Sequence, residues 1–565
     1  MLRMLGMRVP PSTDLQGLPP EALALIEQMQ RHIEQQEHAL LAHQQQLAAG
    51  QALLQRKDRE IALRDAKLEK LEFEIARFKR WKFGAKTEAM NAQQRRLFEE
   101  TLAEDEAALQ AALDQLRAEG KTGRAKPKTP PRSPRREALP AHLRRVEHRH
   151  EPEDTSCPNE GCGLPMTRIG EDVSERLDVV PAEFFVHRHV YGKWACRCCQ
   201  TLKQEPARPE VIEGGLPASG LLAHLLISRF ADHLPYYRQE AINARSGVHT
   251  PRSTLAAWAG QAGAALQPLY DAHKRFVLKC RVLHADETPV ALLDPGAGKT
   301  RRAYVWAYAR SGHDPTPGVI YDFCLGRGAQ YPVGFLAGNE RIGHGRWAGT
   351  LLTDRYSAYD TVLDERVHPD RQAAACVAHA RRKFDELAKA GTSALAQEAI
   401  RRFGLIYEVE GELAVLPDEE RQARRQELAR PLWDSLKKWL ELERRLVVDG
   451  GTTAAAIDYT LNHWAALTRH LDDGAVPIDN NHLERQIKPW AMGRKAWMFV
   501  GSELAGQRAA MVMSLVQSAR LHGHDPFAYL SDVLRRLPTQ LNSRIEELLP
   551  HRWAAPTQRG DTAQP

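Results

Sequence analysis

The apolar positions of this chain follow three successive rhythms. Residues 21–80 carry a heptad, with Ile26, Ile33, Leu40, Leu47, Leu54, Ile61, Leu68 and Ile75 each seven apart. One strict register over that length predicts half of a coiled-coil seam. The companion line three residues on (Met29, Gln36, His43, Gly50, Lys57, Arg64, Leu71, Phe78) is apolar only at its ends, so the zipper is loose, with Gly50 as a break. One long solvated helix packed on its own protein is the alternative. Residues 216–275 then take a helical period: GLLAHLLISRFADHLPYYRQEAI, a break at Ser246-Gly247-Val248, and PRSTLAAWAGQAGAAL. A helix, a Gly-containing turn and a Ser/Thr-led helix predict a helix-turn-helix-like region. From 276 the period shortens. RVLHADETPVALL, RRAYVWAYAR and GVIYDFCLG read as strands, and GTLLTDRYSAY and AAACVAHARRKF follow after a short helical piece. Residues 385–475 return to charged helical pattern, 478–492 read as another helix, and 505–549 as a helical tail.

Composition narrows the class. The 565 residues hold 43% hydrophobic and 27% charged side chains, ordinary values for a soluble multidomain protein. No run reaches the ~18 apolar residues of a membrane span, and Met1 to Pro10 lacks the apolar stretch of a secretory signal. Eight cysteines are too few for a disulfide scaffold, which makes a reducing cytoplasm the default. The net charge of +6 says little, but its distribution says more. Arg80 to Glu88 (RWKFGAKTE) is basic and aromatic, and reads either as a DNA contact or as a helix end closed by Gly84. GKTGRAKPKTPPRSPRR (120–136) holds seven Lys/Arg, four Pro and no acid, and reads as an extended linker.

Two constellations carry candidate chemistry. Cys157 and Cys162 form one close pair, and Cys196 and Cys199 a second, with Cys198 spare. Four thiolates in two knuckles suit a closed, structural, tetrahedral Zn²⁺. His187 or His189 could compete as ligands, and reduced unliganded cysteines are the plain alternative. The second constellation is acidic. Asp286 ends one strand-like run, Asp354 ends another, and Glu484 sits in a helix that Asp479 or Asn480 can cap. Asn480, Glu484 and Lys488 share a face at i, i+4, i+8. Carboxylates so placed suit two Mg²⁺ ions in phosphoryl transfer, whereas singly each reads as a strand end or an ordinary helix ion pair. Cys376-Val377-Ala378-His379 reads as a strand entering a helix, with Arg381 and Arg382 toward phosphate, or else as a CxxH metal pair. Arg485, Lys488, Arg494 and Lys495, interleaved with Trp490 and Trp497, suit a DNA strand or a solvated helix face.

These residues stand in motifs that resemble transposases of the insertion sequence 66 type, a group of bacterial DDE transposases. The motifs are KFGAKTE (82–88), CPNEGCG with CRCC, DHLPYYRQEAI (232–242), HADETPV (284–290), LLTDRYSAYD (351–360), CVAHARRKF (376–384) and DNNHLERQIKPWAMGRKAWMFVGS (479–502). The resemblance spans about residues 60 to 540. It implies a multidomain α+β chain: a coiled-coil or leucine-zipper region (21–118), a basic linker (119–150) and a zinc-binding domain (151–205). A helical helix-turn-helix-like DNA-binding region (206–275) and an RNase H-like catalytic domain (276–502, helical insertion about 385–475) follow, then a helical C-terminal region (503–550). It also makes Asp286, Asp354 and Glu484 a DDE triad holding two Mg²⁺, with Mn²⁺ a possible substitute. The implied reaction is cleavage at element ends to free a 3′-OH, which then attacks target DNA. Implied partners are terminal inverted repeats, target DNA, a second copy through the coiled coil, and accessory proteins of the element, on a bacterial nucleoid with no membrane. Departures are Arg355 where Gly is expected, Val377 for Trp, Thr87 for Ser, and Ala491 where some relatives carry a basic residue. A zinc-dependent DNA-binding protein with an inactive catalytic domain and a plain two-metal nuclease are the rival readings.

Overall fold

The computed structural model describes part of 28–65, then 92–119, then 139–555 apart from 140, 142, 153, 157–163, 181–182, 295–298, 340–342, 344 and 392. The chain divides into two compact units, residues 1–71 with 113–126 and residues 72–112 with 127–565. In the first unit the described residues between 28 and 65 are helical, and Leu40, Leu47, Leu54 and Ile61 of the heptad are exposed. Ile26, Ile33, Leu68 and Ile75, like the segments 80–88 and 120–136, lie outside the described residues.

Helix α1 spans Ala92–Glu119, and its residues up to Ala112 belong to the second unit. Strands β1 (Arg144–His150), β2 (Thr167–Val180), β3 (Glu183–Ala195) and β4 (Leu202–Gln204) make a small mixed sheet. β3 pairs parallel with β1 and antiparallel with β2 and β4. Helices α2 (Ser219–Leu226), α3 (Tyr236–Arg245) and α4 (Arg252–Val277) come next. The order helix–turn–helix is present at α3–α4, with Gly247 at φ 75° in the turn. A groove-reading helix needs a solvent face. α4 instead buries Leu255, Ala256, Trp258, Ala259, Ala262 and Leu266, and only Ser253 in its first turn and Gln267 are exposed. α1 lies against it at Gly260, where a Cβ would strike the Glu104 carbonyl oxygen at 2.1 Å.

The five-stranded sheet is formed by β5 (Val282–Asp294), β6 (Lys299–Arg310), β7 (Val319–Cys324), β8 (Gly349–Thr353) and β9 (Arg371–Ala375). Its order is β7-β6-β5-β8-β9, antiparallel from β5 to β7 and parallel from β5 to β9. Both faces are covered, which is why the strands read as near-continuous apolar runs. Val290, Val305, Ala307 and Tyr321 join one core with α2–α4, and Leu283, Trp306, Tyr308 and Ile320 join another with Phe335, Trp347 and Tyr359. The latter three come from helix α5 (Gln330–Leu336), the approach to β8, and helix α6 (Ala358–Val362).

After β9, helices α7 (Val377–Ala390), α8 (Ala394–Leu413), α9 (Asp418–Arg424), α10 (Arg430–Leu446) and α11 (Thr452–Asn462) fill the stretch that reads as an insertion. They have a core of their own around Phe384, Phe403, Trp433 and Leu436. Buried Arg425 ties it to the return segment, donating to Glu410 and to the carbonyls of His470 and Val476. Helix α12 (Asn481–Trp497) then crosses back onto β5, and α13 (Glu503–Leu521) and α14 (Pro526–Arg536) follow. α13 is no loose tail. Ser514 and Ser518, four apart on one face, accept from the Tyr321 and Val319 N–H groups, so the helix satisfies the edge strand β7. Among the described residues no helix is long and apolar enough to cross a membrane.

Candidate active site

β5 and β8 pair as Val282–Thr350, Leu283–Leu351 and His284–Leu352. Asp286 and Asp354 each stand two residues beyond the last pair. Strand side chains return to the same face every second residue, and neighbouring strands lie about 4.8 Å apart. The equal offset therefore directs both carboxylates to one place at the carboxyl end of the parallel strands, where ligands of such sheets bind.

Glu484 reaches the same edge through a clamp that sequence reading did not find. Asn480 precedes α12 but does not cap it with its side chain. That side chain is buried: its Oδ1 lies 2.7 Å from His284 Nδ1, and its Nδ2 donates to the Ala285 carbonyl at 3.1 Å. The Asn480 N–H donates to Cys376 Sγ at 3.2 Å, and its carbonyl accepts from the Glu484 N–H at 3.0 Å. One residue thus joins the strand of Asp286, the end of β9 and the helix of Glu484. Asp479 accepts from the Asn481 N–H and, from α8, from Tyr407 OH at 3.0 Å.

The electrostatics report the convergence. Burial, together with the charges of Glu287, Asp354 and Glu484, pushes Asp286 up to about 8. Like charges held this close favour protonation or a cation between them. Glu287 is not an open ligand. Tyr359 OH and Arg327 Nε donate to its two oxygens at 2.9 and 2.6 Å, and Arg327 also lies over the Tyr356 ring. Asp354 accepts from the Tyr356 N–H, and its carbonyl accepts from Tyr459 OH. Arg355, beside it, has φ 65°, the left-handed conformation that favours glycine. Its Nη2 donates to Asp360, while its Nε and Nη1 are buried without a hydrogen-bond partner.

The basic residues divide by position. Arg382 is exposed, with Nη2 3.7 Å from Glu484 Oε2, and Arg381 is half-buried on the same helix. Lys488 and Lys495 are exposed on α12, and Arg494 donates to the Pro289 carbonyl of β5 at 2.9 Å. The expected interleaving of aromatics with these charges is not available to a strand. Trp490 and Trp497 are core residues, edge to face with each other and, for Trp490, with Tyr321. Both tryptophans fall on the buried stripe of α12, seven residues apart. Cys376 precedes α7 at the end of β9, the strand-to-helix passage read from sequence.

In the small sheet, the Cys196–Cys199 turn closes through Gln200 N–H to the Cys196 carbonyl and Cys196 N–H to the Thr201 carbonyl, both 2.9 Å, with Gln200 at φ 56°. Cys196 is buried, Cys199 half-buried and Cys198 exposed. Cys157 and Cys162 lie outside the described residues. The flanks of their loop meet at a Ser156–Pro165 bridge, and adjoining Met166 packs on Cys196. The donor set and the convergent ends of β3, β4 and that loop fit a tetrahedral Zn²⁺. The histidines that could compete are engaged with one another: His148 and His187 nitrogens lie 2.8 Å apart, those of His150 and His189 3.0 Å, and His187 meets Asp178 at 2.9 Å. Burial and these neighbours hold His189 down at about 4.

Known proteins match along most of this length. The model described as Transposase IS66 family matches residues 214–508, and the IS66 C-terminal element matches 514–551. The zinc-finger binding domain of transposase IS66 matches 154–200, and the model Transposase C of IS166 homeodomain matches 70–147. Among relatives, the uncharacterized protein y4jD of Sinorhizobium fredii is 37% identical over 428 residues, 74% of this chain and 82% of that one. Its compatriot y4qI, also uncharacterized, is 39% identical over 452 residues, 78% of this chain and 81% of that one. The matched stretch takes in every strand of the five-stranded sheet and all three converging acids, and this chain belongs to the IS66 transposase family.

Proposed function

We propose that this chain is a DNA transposase that cleaves and joins element ends by in-line phosphoryl transfer at Asp286, Asp354 and Glu484. The observation that carries the reading is the equal register of Asp286 and Asp354 on parallel strands, with Glu484 brought to them by Asn480. The sheet order, three antiparallel strands followed by two parallel ones, supports an RNase H-like catalytic domain. The carboxylate set, with Asp286 raised by burial and then by its acidic neighbours, fits hard divalent cations. Two Mg²⁺ ions, or Mn²⁺ in their place, would supply charge neutralisation and an activated oxygen nucleophile when bound. The chain's own residues hold and align. The three acids fix the reacting phosphate, and Arg381, Arg382, Lys488, Arg494 and Lys495 lie along the DNA backbone as counter-charges. Cys157, Cys162, Cys196 and Cys199 hold Zn²⁺ in a domain that grips the terminal inverted repeats. Exposed Leu40, Leu47, Leu54 and Ile61 support a coiled coil that pairs two protomers, and with them two element ends. Accessory proteins of the element complete the assembly on the nucleoid.

The test is strand transfer in vitro with Mg²⁺ and a labelled element-end oligonucleotide. Asp286→Asn and Glu484→Gln each lose several kcal/mol of transition-state stabilisation, roughly a thousandfold or more in rate, while end binding in a mobility-shift assay persists. Joined product from either variant at the wild-type rate overturns the triad. Cleavage without joining or paired ends from the wild type leaves a nuclease in place of a transposase.

A further inference from the structure

At the same sheet edge lies a second ligand set of different chemistry. Cys376 Sγ, a ring nitrogen of His379 and a carboxylate oxygen of Glu484 all lie within 4.8 Å of one another. We propose that Cys376, His379 and Glu484 form a site for a thiophilic divalent cation of the Zn²⁺ class, and that an ion held there withdraws Glu484 from the hard-metal centre. The regulatory half of this proposal rests on the transposase reading; the binding half does not.

The geometry comes from a strand running into a helix. Cys376 ends β9, and His379 follows three residues later on the first turn of α7, so both face the same side. Glu484 approaches from α12. His379 Nδ1 and Glu484 Oε1 stand 3.9 Å apart, and both atoms are buried without a hydrogen-bond partner. Two buried polar atoms left open toward each other are costly unless something sits between them. The Asn480 N–H donates to the sulfur at 3.2 Å, a contact that favours the thiolate a metal needs.

Bond lengths of about 2.3 Å to sulfur and 2.0–2.2 Å to nitrogen and oxygen would place the ligand atoms roughly 3.3–3.7 Å apart. His379 and Glu484, 3.9 Å apart, are already near that spacing, and the remaining separations, all within 4.8 Å, need a contraction of at most roughly 1 Å. One thiolate, one imidazole and one carboxylate are a borderline-soft set that selects Zn²⁺ or Co²⁺ over Mg²⁺ and leaves a fourth position open. Asp286 and Asp354 offer no soft donor. The two sites therefore differ in ligand chemistry and share a single residue, Glu484, which cannot serve both fully at once.

Full-length protein carrying its native zinc is titrated with Co²⁺ and followed by the sulfur-to-cobalt charge-transfer band. The expected result is one additional equivalent with a single-thiolate band that excess Mg²⁺ does not remove. His379→Gln and Cys376→Ser lose that equivalent, while Asp286→Asn retains it. Because Cys376 is buried, the half-exposed His379→Gln variant is decisive if Cys376→Ser does not fold. Wild-type stoichiometry and spectrum in folded His379→Gln, or no band in the wild type, overturns the site. A band in protein that performs no strand transfer keeps the site and removes the transposase reading. Strand transfer slowed by Zn²⁺ in the wild type but not in His379→Gln completes the regulatory half; equal activity of the wild type with and without Zn²⁺ overturns that half.

Discussion

The two sheets of this protein hold their candidate sites by opposite means. The five-stranded sheet is covered on both faces, and its acids are aimed by strand register and a buried amide. The small sheet is covered at one end only: Leu177, Val179, Phe184 and Val186 join the main core, whereas β2 is exposed from Arg168 to Ser174, and the Cys196–Cys199 turn lies at that open end. A covered sheet fixes a site before any ligand arrives. The open end of the small sheet buries too little apolar surface to hold itself and depends on the ligand it binds.

Removing zinc separates the two most strongly. Zinc binding and local folding are one equilibrium in such domains, on the order of 10 kcal/mol. Stripping the metal with a chelator should abolish amide-exchange protection in β4 and in the open ends of β2 and β3 beside Cys196, while β5–β9 keep theirs. Protection retained at those open ends of zinc-free protein would erase the distinction between the sheets.

Within the covered body, the next largest effect lies at Arg508. It is buried on α13, and its Nη2 meets Glu104 and Asp105 of α1 at 2.7 and 2.9 Å. Arg508→Met leaves two buried carboxylates without a cation and should destabilise the folded state by about 3–5 kcal/mol. Chemical denaturation reads this directly. An unchanged midpoint would mean that α1 is not part of the core that carries the acids.

Asn480 tests whether register alone aims the site. Asn480→Ala takes the buried partner from His284 Nδ1 and a donor from the Ala285 carbonyl, a loss of about 1–3 kcal/mol in stability. Strand transfer should fall further than stability does, because α12 is no longer tied to β5. Equal, small losses in both would place the aim of Glu484 in the apolar packing of α12 instead.

What the sequence made legible follows the same division. Strands buried on both faces produce apolar runs, so β5 to β9 could be read one by one, and Asp286 and Asp354 could be seen at their ends. Their common offset from His284 and Leu352 appears only once the strands are paired. The Asn480–His284 link spans 196 residues and leaves no periodic trace. For α4, an apolar helix after a glycine turn looks alike whether it reads a groove or fills a core, and the covering α1 came from a segment read as zipper. Trp490 and Trp497 misled for a related reason, since an aromatic between charges on a helix belongs to the buried stripe as readily as to a binding face.

Arg355 is where a single residue separates backbone from side chain at the active site. Its φ of 65° places an L-residue in the left-handed region, at about 1–2 kcal/mol, in a position where family resemblance leads one to expect glycine. Its guanidinium pairs with Asp360 through Nη2 and keeps two buried nitrogens without a hydrogen-bond partner, donors that an anion could take up. Arg355→Gly and Arg355→Ala remove the guanidinium equally, but only glycine relieves the backbone. Gly should therefore exceed Ala in stability by about 1 kcal/mol, read as a shift in denaturation midpoint, while both variants lose DNA affinity by the same factor. Alanine as stable as glycine would mean that the turn relaxes out of the left-handed region. The sharp end of β8 would then follow from the arginine rather than dictate it, and Asp354 would owe its place to β8 pairing alone.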